Sequence, residues 1–305
     1  MTETLANKYR PQTFDDLCSQ EITKTILKKQ IANKTYSHAM LFVGQAGSGK
    51  TSSAKIIAKM IDGEILEYDC ASNNGVDAIK AIINNARIPS LIHEYKTIIL
   101  DEVHVLSAMA WASLLITLEE NLPKAIFILC TTDVQKIPDT IMSRVQRFNF
   151  IPLTRPIIVD RLKYVCEKEN IDIKEDALNV IAKLAKGNMR QALTNLDKCI
   201  LYDDLSLEGV QRVLNVVSDN VYKDLYDAIY NNGKAPNINR VAYVINHIYL
   251  EGYELHFAIR QFLDYLLANK GDLSIIEATV NLIQEIRYDT SPRTLIIARY
   301  ITIRK

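Results

Sequence analysis

The segment Leu41-Phe42-Val43-Gly44-Gln45-Ala46-Gly47-Ser48-Gly49-Lys50-Thr51 constrains this chain more than any other. A short apolar run enters a glycine-rich turn that ends in Lys-Thr, and Gly44, Gly49, Lys50 and Thr51 stand at P-loop spacing. Glycines here let backbone N–H groups converge on an anion, because no Cβ obstructs the approach. Lys50 is then placed to offset charge on the β- and γ-phosphates of a nucleotide, and the Thr51 hydroxyl to ligate Mg²⁺. The candidate cradle runs through Gly44, Gln45, Ala46, Gly47, Ser48, Gly49, Lys50, Thr51 and Ser52.

Both flanks agree with that reading. Met40 to Val43 reads as a buried strand, and Ala54, Ile57, Ala58 and Ile61 recur at helical spacing, with Lys55 and Lys59 toward solvent. Strand, loop and helix N-terminus therefore follow in the order that aims a helix dipole at an anion. Further strands are predicted over Glu64–Tyr68, Thr97–Leu100 and Ala125–Cys130, with a helix from Val76 to Ala86 that stops before Pro89. The last two strands are continuously apolar, as strands covered on both faces are, so the fold class is an α/β P-loop domain with a parallel sheet. Asp101-Glu102 ends the third strand. With the P-loop upstream, the pair reads as a Walker B motif in which Asp101 holds Mg²⁺ and Glu102 orients and activates a water. Thr131-Thr132 ends the next strand at the same edge, where ligands of open α/β sheets gather.

Other residues carry less by themselves. Tyr9, Arg10 and Pro11 put an aromatic ring and an arginine beside a rigid turn, which suits either holding a flat base or a docked N-terminal arm. An amphipathic helix is expected over Glu21–Ala32, His38 reads as a structural polar residue, and Ser107 can cap a helix whose Trp111, Leu114, Leu115 and Leu118 face a core. Arg144 and Arg147 sit beside the last strand of this domain, and an arginine at a subunit edge can complete a neighbour's site. Lysine plus arginine equals aspartate plus glutamate at 36 each, so net charge points to no nucleic-acid partner, although the first sixty residues carry nine basic against four acidic side chains. Cys18, Cys70, Cys130, Cys166 and Cys199 are odd in number and far apart, which argues for reduced thiols in a cytoplasmic compartment and against a zinc site. The N-terminus lacks the apolar core of a signal peptide, and no apolar run reaches membrane-spanning length.

From Pro156 onward helical periodicity takes over. Helices are expected over Asp160–Glu169, Lys174–Ala185 and Arg190–Tyr202, with Gly187 placed as a C-cap and Arg190 suited either to reach a nucleotide or to form a surface salt bridge. The last ninety or so residues are again helical. Tyr222, Tyr226 and Tyr230 share one helix that is broken at Asn231-Asn232-Gly233, two helices follow over Ile238–Leu250 and Glu254–Asn269, and another precedes a last one begun by Ser291 and Pro292.

Taken together, these residues resemble the AAA+ ATPases, and among them the gamma/tau subunits of bacterial DNA polymerase III clamp loaders. The resemblance lies in Lys8 to Asp16, Asp69-Cys70-Ala71-Ser72-Asn73-Asn74-Gly75-Val76-Asp77 and Asp101-Glu102-Val103-His104-Val105-Leu106-Ser107. It continues in Leu118-Glu119-Glu120, Thr131 to Pro138 and Gly187-Asn188-Met189-Arg190-Gln191-Ala192-Leu193. It is dense up to about Asp197 and thinner afterwards, where Glu251-Gly252-Tyr253 and Ser291-Pro292-Arg293 echo the family's collar domain.

The resemblance implies three domains: an AAA+ domain over 1–153, a three-helix lid over 154–216 and an all-α collar for oligomerisation over 217–305. It implies ATP and Mg²⁺ as ligands, with Tyr9, Arg10 and Pro11 on the adenine side, Thr132 as sensor 1, Arg190 as sensor 2 and Arg144 as a finger acting on the adjoining subunit. Its partners would be other loader subunits in a ring, usually a pentamer, a sliding clamp opened by ATP binding, and primer–template DNA on which hydrolysis releases the clamp. Arg87 is the candidate DNA contact. Alternatives are a non-hydrolysing structural subunit of the ring or another AAA+ DNA motor, such as a branch-migration ATPase. Three departures stand out: Ser143-Arg144-Val145 replaces the family's Ser-Arg-Cys, Ser19-Gln20 replaces Gly-Gln, and Ile61-Asp62-Gly63-Glu64 passes to the second strand without the four-cysteine zinc module. No zinc and no tau-like tethering tail are therefore expected, as in a compact loader of a bacterial or phage-infected cell.

Overall fold

The computed structural model describes residues 3–120, 122, 124–231, 234–286 and 291–303. The chain divides into two compact units, Met1–Ile171 with Ala182–Asp197, and Asp172–Ile181 with Lys198–Lys305.

In the first unit, β1 (Ala39–Gly44), β2 (Gly63–Asp69), β3 (Tyr95–Asp101), β4 (Ala125–Thr131) and β5 (Gln146–Phe150) form one sheet in the order β2-β3-β4-β1-β5. Every neighbouring pair is parallel, and the registers Val43↔Thr131 and Leu100↔Leu129 bring the ends of β1, β3 and β4 to one edge. Side chains alternate along each strand. Leu41, Ile98, Leu100, Phe127 and Leu129 therefore face one layer, and Met40, Phe42, Ile99, Ile126 and Ile128 the other.

Helices α1 (Leu5–Lys8) and α2 (Glu21–Ala32) precede β1, and α3 (Lys50–Met60), α4 (Val76–Arg87), α5 (Ala108–Glu120) and α6 (Asp139–Met142) lie between the strands in sequence. On α4 and α5, Ile79, Ile82, Ile83, Trp111 and Leu114 cover the first face, while Leu27 of α2 with Ile56 and Ile57 of α3 cover the second. Each such aliphatic side chain contributes roughly 1.5–3 kcal/mol when buried. Trp111 belongs to the core, Ser107 Oγ caps α5 by accepting from Ala110 N, and His38 Nε2 meets the Leu118 carbonyl at 3.0 Å, a structural contact.

The later helices are α7 (Arg155–Glu169), α8 (Glu175–Ala185), α9 (Met189–Tyr202), α10 (Leu207–Val213), α11 (Asp219–Tyr230), α12 (Ile238–Leu250), α13 (Leu255–Ala268), α14 (Leu273–Glu285) and α15 (Pro292–Ile301). Two expectations need correction. α7 begins at Arg155 rather than Asp160, because Pro156 sits in its first turn, where a missing N–H costs nothing. Residues 154–216 also carry a fourth helix, α10, capped by Ser206 Oγ accepting from Gly209 N, and seven residues are too few for periodicity to reveal it.

α11 to α15 enclose a separate core that includes Leu225, Ile245, Phe262, Leu282 and Ile296. Tyr222 is buried there and donates to the Ala258 carbonyl at 2.9 Å, while Tyr226 and Tyr230 stack with their rings 5.5 Å apart. Asn232 and Gly233 of the expected break after α11 lie outside the described residues. No helix among the described residues is long and apolar enough to cross a membrane.

Candidate active site

β1 delivers the glycine-rich turn to the start of α3. Gly47 and Gly49 adopt φ of +68° and +101°, the region an L-residue avoids, and a Cβ on Gly49 would lie 2.7 Å from Leu17 Cδ1. Gly49 offers α3 no capping side chain, so the first-turn amides, which lack intrahelical partners, remain available to an anion. Lys50 is buried, and its Nζ donates to the carbonyls of Gly44 at 2.8 Å and Gln45 at 3.0 Å, which draws the loop around its own cation.

Thr51 Oγ1 donates to Asp101 Oδ2 at 2.7 Å, joining α3 to the end of β3. A hydroxyl and a carboxylate so placed are hard oxygen donors that suit Mg²⁺. The other carboxylate oxygen, Oδ1, accepts from Glu102 N at 3.0 Å. Glu102 follows in left-handed backbone, and its Oε2 accepts from Thr132 Oγ1 at 3.0 Å. Thr131 is buried instead, and its hydroxyl donates to the Asp133 carbonyl at 3.1 Å. Glu102, Thr132, Asp101, Thr51 and Lys50 thus come from two strand ends and one helix start.

A cleft beside the loop is lined by Tyr9, Arg10, Pro11, Gly47 to Ser52, Arg161 and Arg190. The Tyr9 hydroxyl donates to Glu169 of α7, its ring meets Tyr164 edge-on at 6.4 Å, and Arg161 Nη2 donates to the Tyr9 carbonyl at 3.3 Å. Burial and the hydrogen bond to Glu169 push the Tyr9 phenol up to about 12. Lys8 also pairs with Glu169 at 2.7 Å, and Lys8 with Tyr9 holds that carboxyl below the usual glutamate range. The N-terminal arm is therefore docked and at the same time lines the cleft.

Arg144 and Arg87 are not among the residues lining it. Arg144 pairs with Glu119 at 2.5 Å and donates to the Thr140 carbonyl at 2.8 Å, and Arg87 pairs with Glu120 at 2.5 Å.

Three participants receive no role from the motifs that contain them. Gln20 is buried, its Nε2 donating to the carbonyls of Ser48 at 3.3 Å and Ile151 at 2.7 Å while its Oε1 accepts from Ile151 N at 3.0 Å. Asn188 begins α9 directly against the loop, and Met189 N donates to the Gly47 carbonyl at 3.3 Å. His104 Nδ1 lies 3.2 Å from Glu102 Oε2. Only the lone polar residue between valines in Val103-His104-Val105 hinted at the last of these.

Comparison with known proteins agrees with this geometry. Residues 40–153 match the ATPase family associated with various cellular activities (AAA), and residues 160–200 match the RCF1/5-like AAA+ ATPase lid domain. The DNA polymerase III subunit tau of Bacillus subtilis is 40% identical over 243 residues, covering 71% of this chain and 43% of the relative. That of Escherichia coli is 31% identical over 290 residues, covering 87% and 44%. The chain thus spans less than half the length of these relatives. The Thermotoga maritima RuvB Holliday junction branch migration motor superposes with a TM-score of 0.59 at 19% identity, over 86% of this chain and 91% of that one, a likeness of fold. The P-loop, the strand-end carboxylates and both matched domains lead to one conclusion: the chain belongs to the AAA+ ATPases.

Proposed function

We propose that this chain is an ATP-hydrolysing subunit of a sliding-clamp loader of the DNA polymerase III type. ATP binding in the ring opens the clamp, and hydrolysis releases it on primer–template DNA. The observation that carries the ATPase part is the convergence of Thr51 on Asp101 and of Thr132 on Glu102 at one sheet edge. Similarity to the tau subunits supports the clamp-loading part.

In this reading the glycine-rich loop and the α3 amides bind the phosphates, and Lys50 exchanges its loop carbonyls for phosphate oxygens. Thr51 and Asp101 would hold Mg²⁺, which would offset the negative charge of the phosphates. Glu102 takes a proton from the attacking water, Thr132 fixes that carboxylate, and Arg190 reaches the γ-phosphate from the lid. Tyr9, Arg10 and Pro11 bound the base. Arg144 leaves Glu119 to act on the adjoining subunit's nucleotide, and Arg87 meets the DNA backbone after releasing Glu120. The ring is a pentamer with other loader subunits, working in the bacterial cytoplasm.

The test is steady-state ATPase of the chain assembled with candidate loader subunits. Turnover stimulated by a sliding clamp plus primer–template DNA is expected, with native mass spectrometry reporting the ring. Stimulation by a four-way junction without clamp capture would favour a branch-migration motor. Nucleotide binding without turnover in any assembly would mean a structural subunit.

A further inference from the structure

Glu102 stands just past the end of β3 on left-handed backbone with φ of 52°, so its side-chain direction depends on what grips the carboxylate rather than on the strand. Among the described residues both side-chain contacts fall on one oxygen. Thr132 Oγ1 donates to Oε2, and His104 Nδ1 lies 3.2 Å from the same atom. His104 is itself fixed, because it sits in the tight turn Val103–Val105, where Val103 is buried and Val105 N donates to the Glu102 carbonyl at 3.1 Å.

Donor accounting assigns the imidazole tautomer. The Thr131 hydroxyl spends its one proton on the Asp133 carbonyl, so in its 3.3 Å contact with His104 Nδ1 it is the acceptor. A carboxylate also only accepts. Both neighbours of Nδ1 are acceptors, so Nδ1 carries the proton; its hydrogen bond goes to Thr131 Oγ1, and Glu102 Oε2 lies 3.2 Å from the same nitrogen. His104 is a brace set between the buried threonine and the carboxylate.

We propose that His104 is the positioning residue for Glu102. Its Nδ1, tied to Thr131 and 3.2 Å from Oε2, draws that oxygen electrostatically while Thr132 donates to it, which leaves Oε1 for the water. As the water oxygen bonds to the γ-phosphorus, the bond to the β,γ-bridging oxygen breaks, ADP leaves with the electron pair and the water proton passes to Oε1. This inference rests on the ATPase reading above and adds to it a residue that touches neither nucleotide nor water. Misplacing a reacting group by about 1 Å can cost ~10²-fold in rate, so loss of the brace should appear in kcat and leave KM alone.

The experiment is single-turnover and steady-state ATPase of the assembled ring, with a fluorescent ATP analogue to measure binding. His104→Ala should lower kcat by about tenfold to a hundredfold, with KM and analogue affinity within about twofold of the parent. His104→Asn, whose amide N–H falls where Nδ1–H was, should recover most of that loss, whereas His104→Gln, which reaches the Nε2 position, should not. In a Glu102→Gln background His104→Ala should cost nothing further. A merely structural role would slow the Ala and Asn variants alike and add its loss to that of Glu102→Gln, and either result overturns the inference. If Glu102→Gln is inactive while His104→Ala turns over normally, this inference alone falls. If Glu102→Gln turns over normally, the assignment of Glu102 as the activating carboxylate falls, and the brace with it.

Discussion

Asn188 Oδ1 occupies the space that a side chain on Gly47 would need: a Cβ built there would lie 1.8 Å from it. Gly47→Ala must therefore displace the start of α9 and also hold an L-residue at φ of +68°, which by itself costs roughly 1–2 kcal/mol. A lowered melting temperature and at least about tenfold weaker nucleotide binding, equivalent to ~1.4 kcal/mol, are expected. Adding Asn188→Gly should restore part of the binding but not the backbone term, which thermal unfolding and a nucleotide titration would separate.

Lys50→Ala removes the cation that Gly44 and Gln45 enclose. Nucleotide should no longer raise the melting temperature, whereas saturating ligand at about a hundred times Kd stabilises the parent by ~2.7 kcal/mol. A normal ligand-induced shift in the variant would remove the P-loop from the mechanism.

Gln20→Ala strands Ile151 N–H and two carbonyls that Gln20 now satisfies. Each buried group left unpaired costs about 1–3 kcal/mol, so urea denaturation should show a loss within or above that range. Gln20→Glu, equal in shape but without a donor at neutral pH, should be at least as damaging.

Acid should release the N-terminal arm. The Glu169 carboxyl is depressed by Lys8 and Tyr9, so its contribution is present above the ordinary glutamate pKa of about 4.3 and is lost as pH falls through the lower folded value. Protection factors for amide exchange over residues 5–10, taken against the unstructured rate at each pH, should fall on acidification. Glu169→Gln should already exchange fast at neutral pH and lose this dependence.

Arg144→Ala should leave nucleotide affinity of the chain nearly intact while turnover of the assembly falls by a factor of about 10³–10⁵. Rings mixed from Arg144→Ala and Glu102→Gln subunits should recover sites in which an intact arginine faces an intact carboxylate. Absence of such recovery, with both variants incorporated, would place Arg144 outside the interface.

Local periodicity and motif spacing made the first four strands and most helices legible, since burial on both sheet faces requires apolar runs such as Ile126 to Cys130, whereas Gln146–Phe150 alternates and left no such run to bound it. Lys50, Thr51, Asp101, Glu102 and Thr132 were legible for the same reason: a motif ties each to the end of an element. What remained hidden depends on contacts across the fold. Gln20 meets Ile151 over 131 residues, and Asn188 meets Gly47 through space. Neither contact leaves a periodic trace. Ser19-Gln20 looked like a weakened version of the family's Gly-Gln, yet both residues adopt left-handed backbone, φ of 63° and 68°, so the serine occupies a conformation that glycine enters more easily. Arg87 looked free for DNA because its ion pair with Glu120 on the next helix requires knowing that α4 and α5 are neighbours.

Strand β4 lies between the strand that presents Asp101 and the strand that feeds the glycine-rich loop. Its residues act like a reading frame. Deleting one would put Thr132 where Thr131 braces His104 and bring Asp133 against Glu102, two carboxylates face to face. Inserting one would keep a threonine beside Glu102 but offer His104 the thiol of Cys130. Either change would also exchange Phe127 and Leu129 with Ile126 and Ile128 between the two sheet faces. The packing of both layers and the chemistry at their edge are thus set by one integer, the number of residues between Lys124 and Thr132.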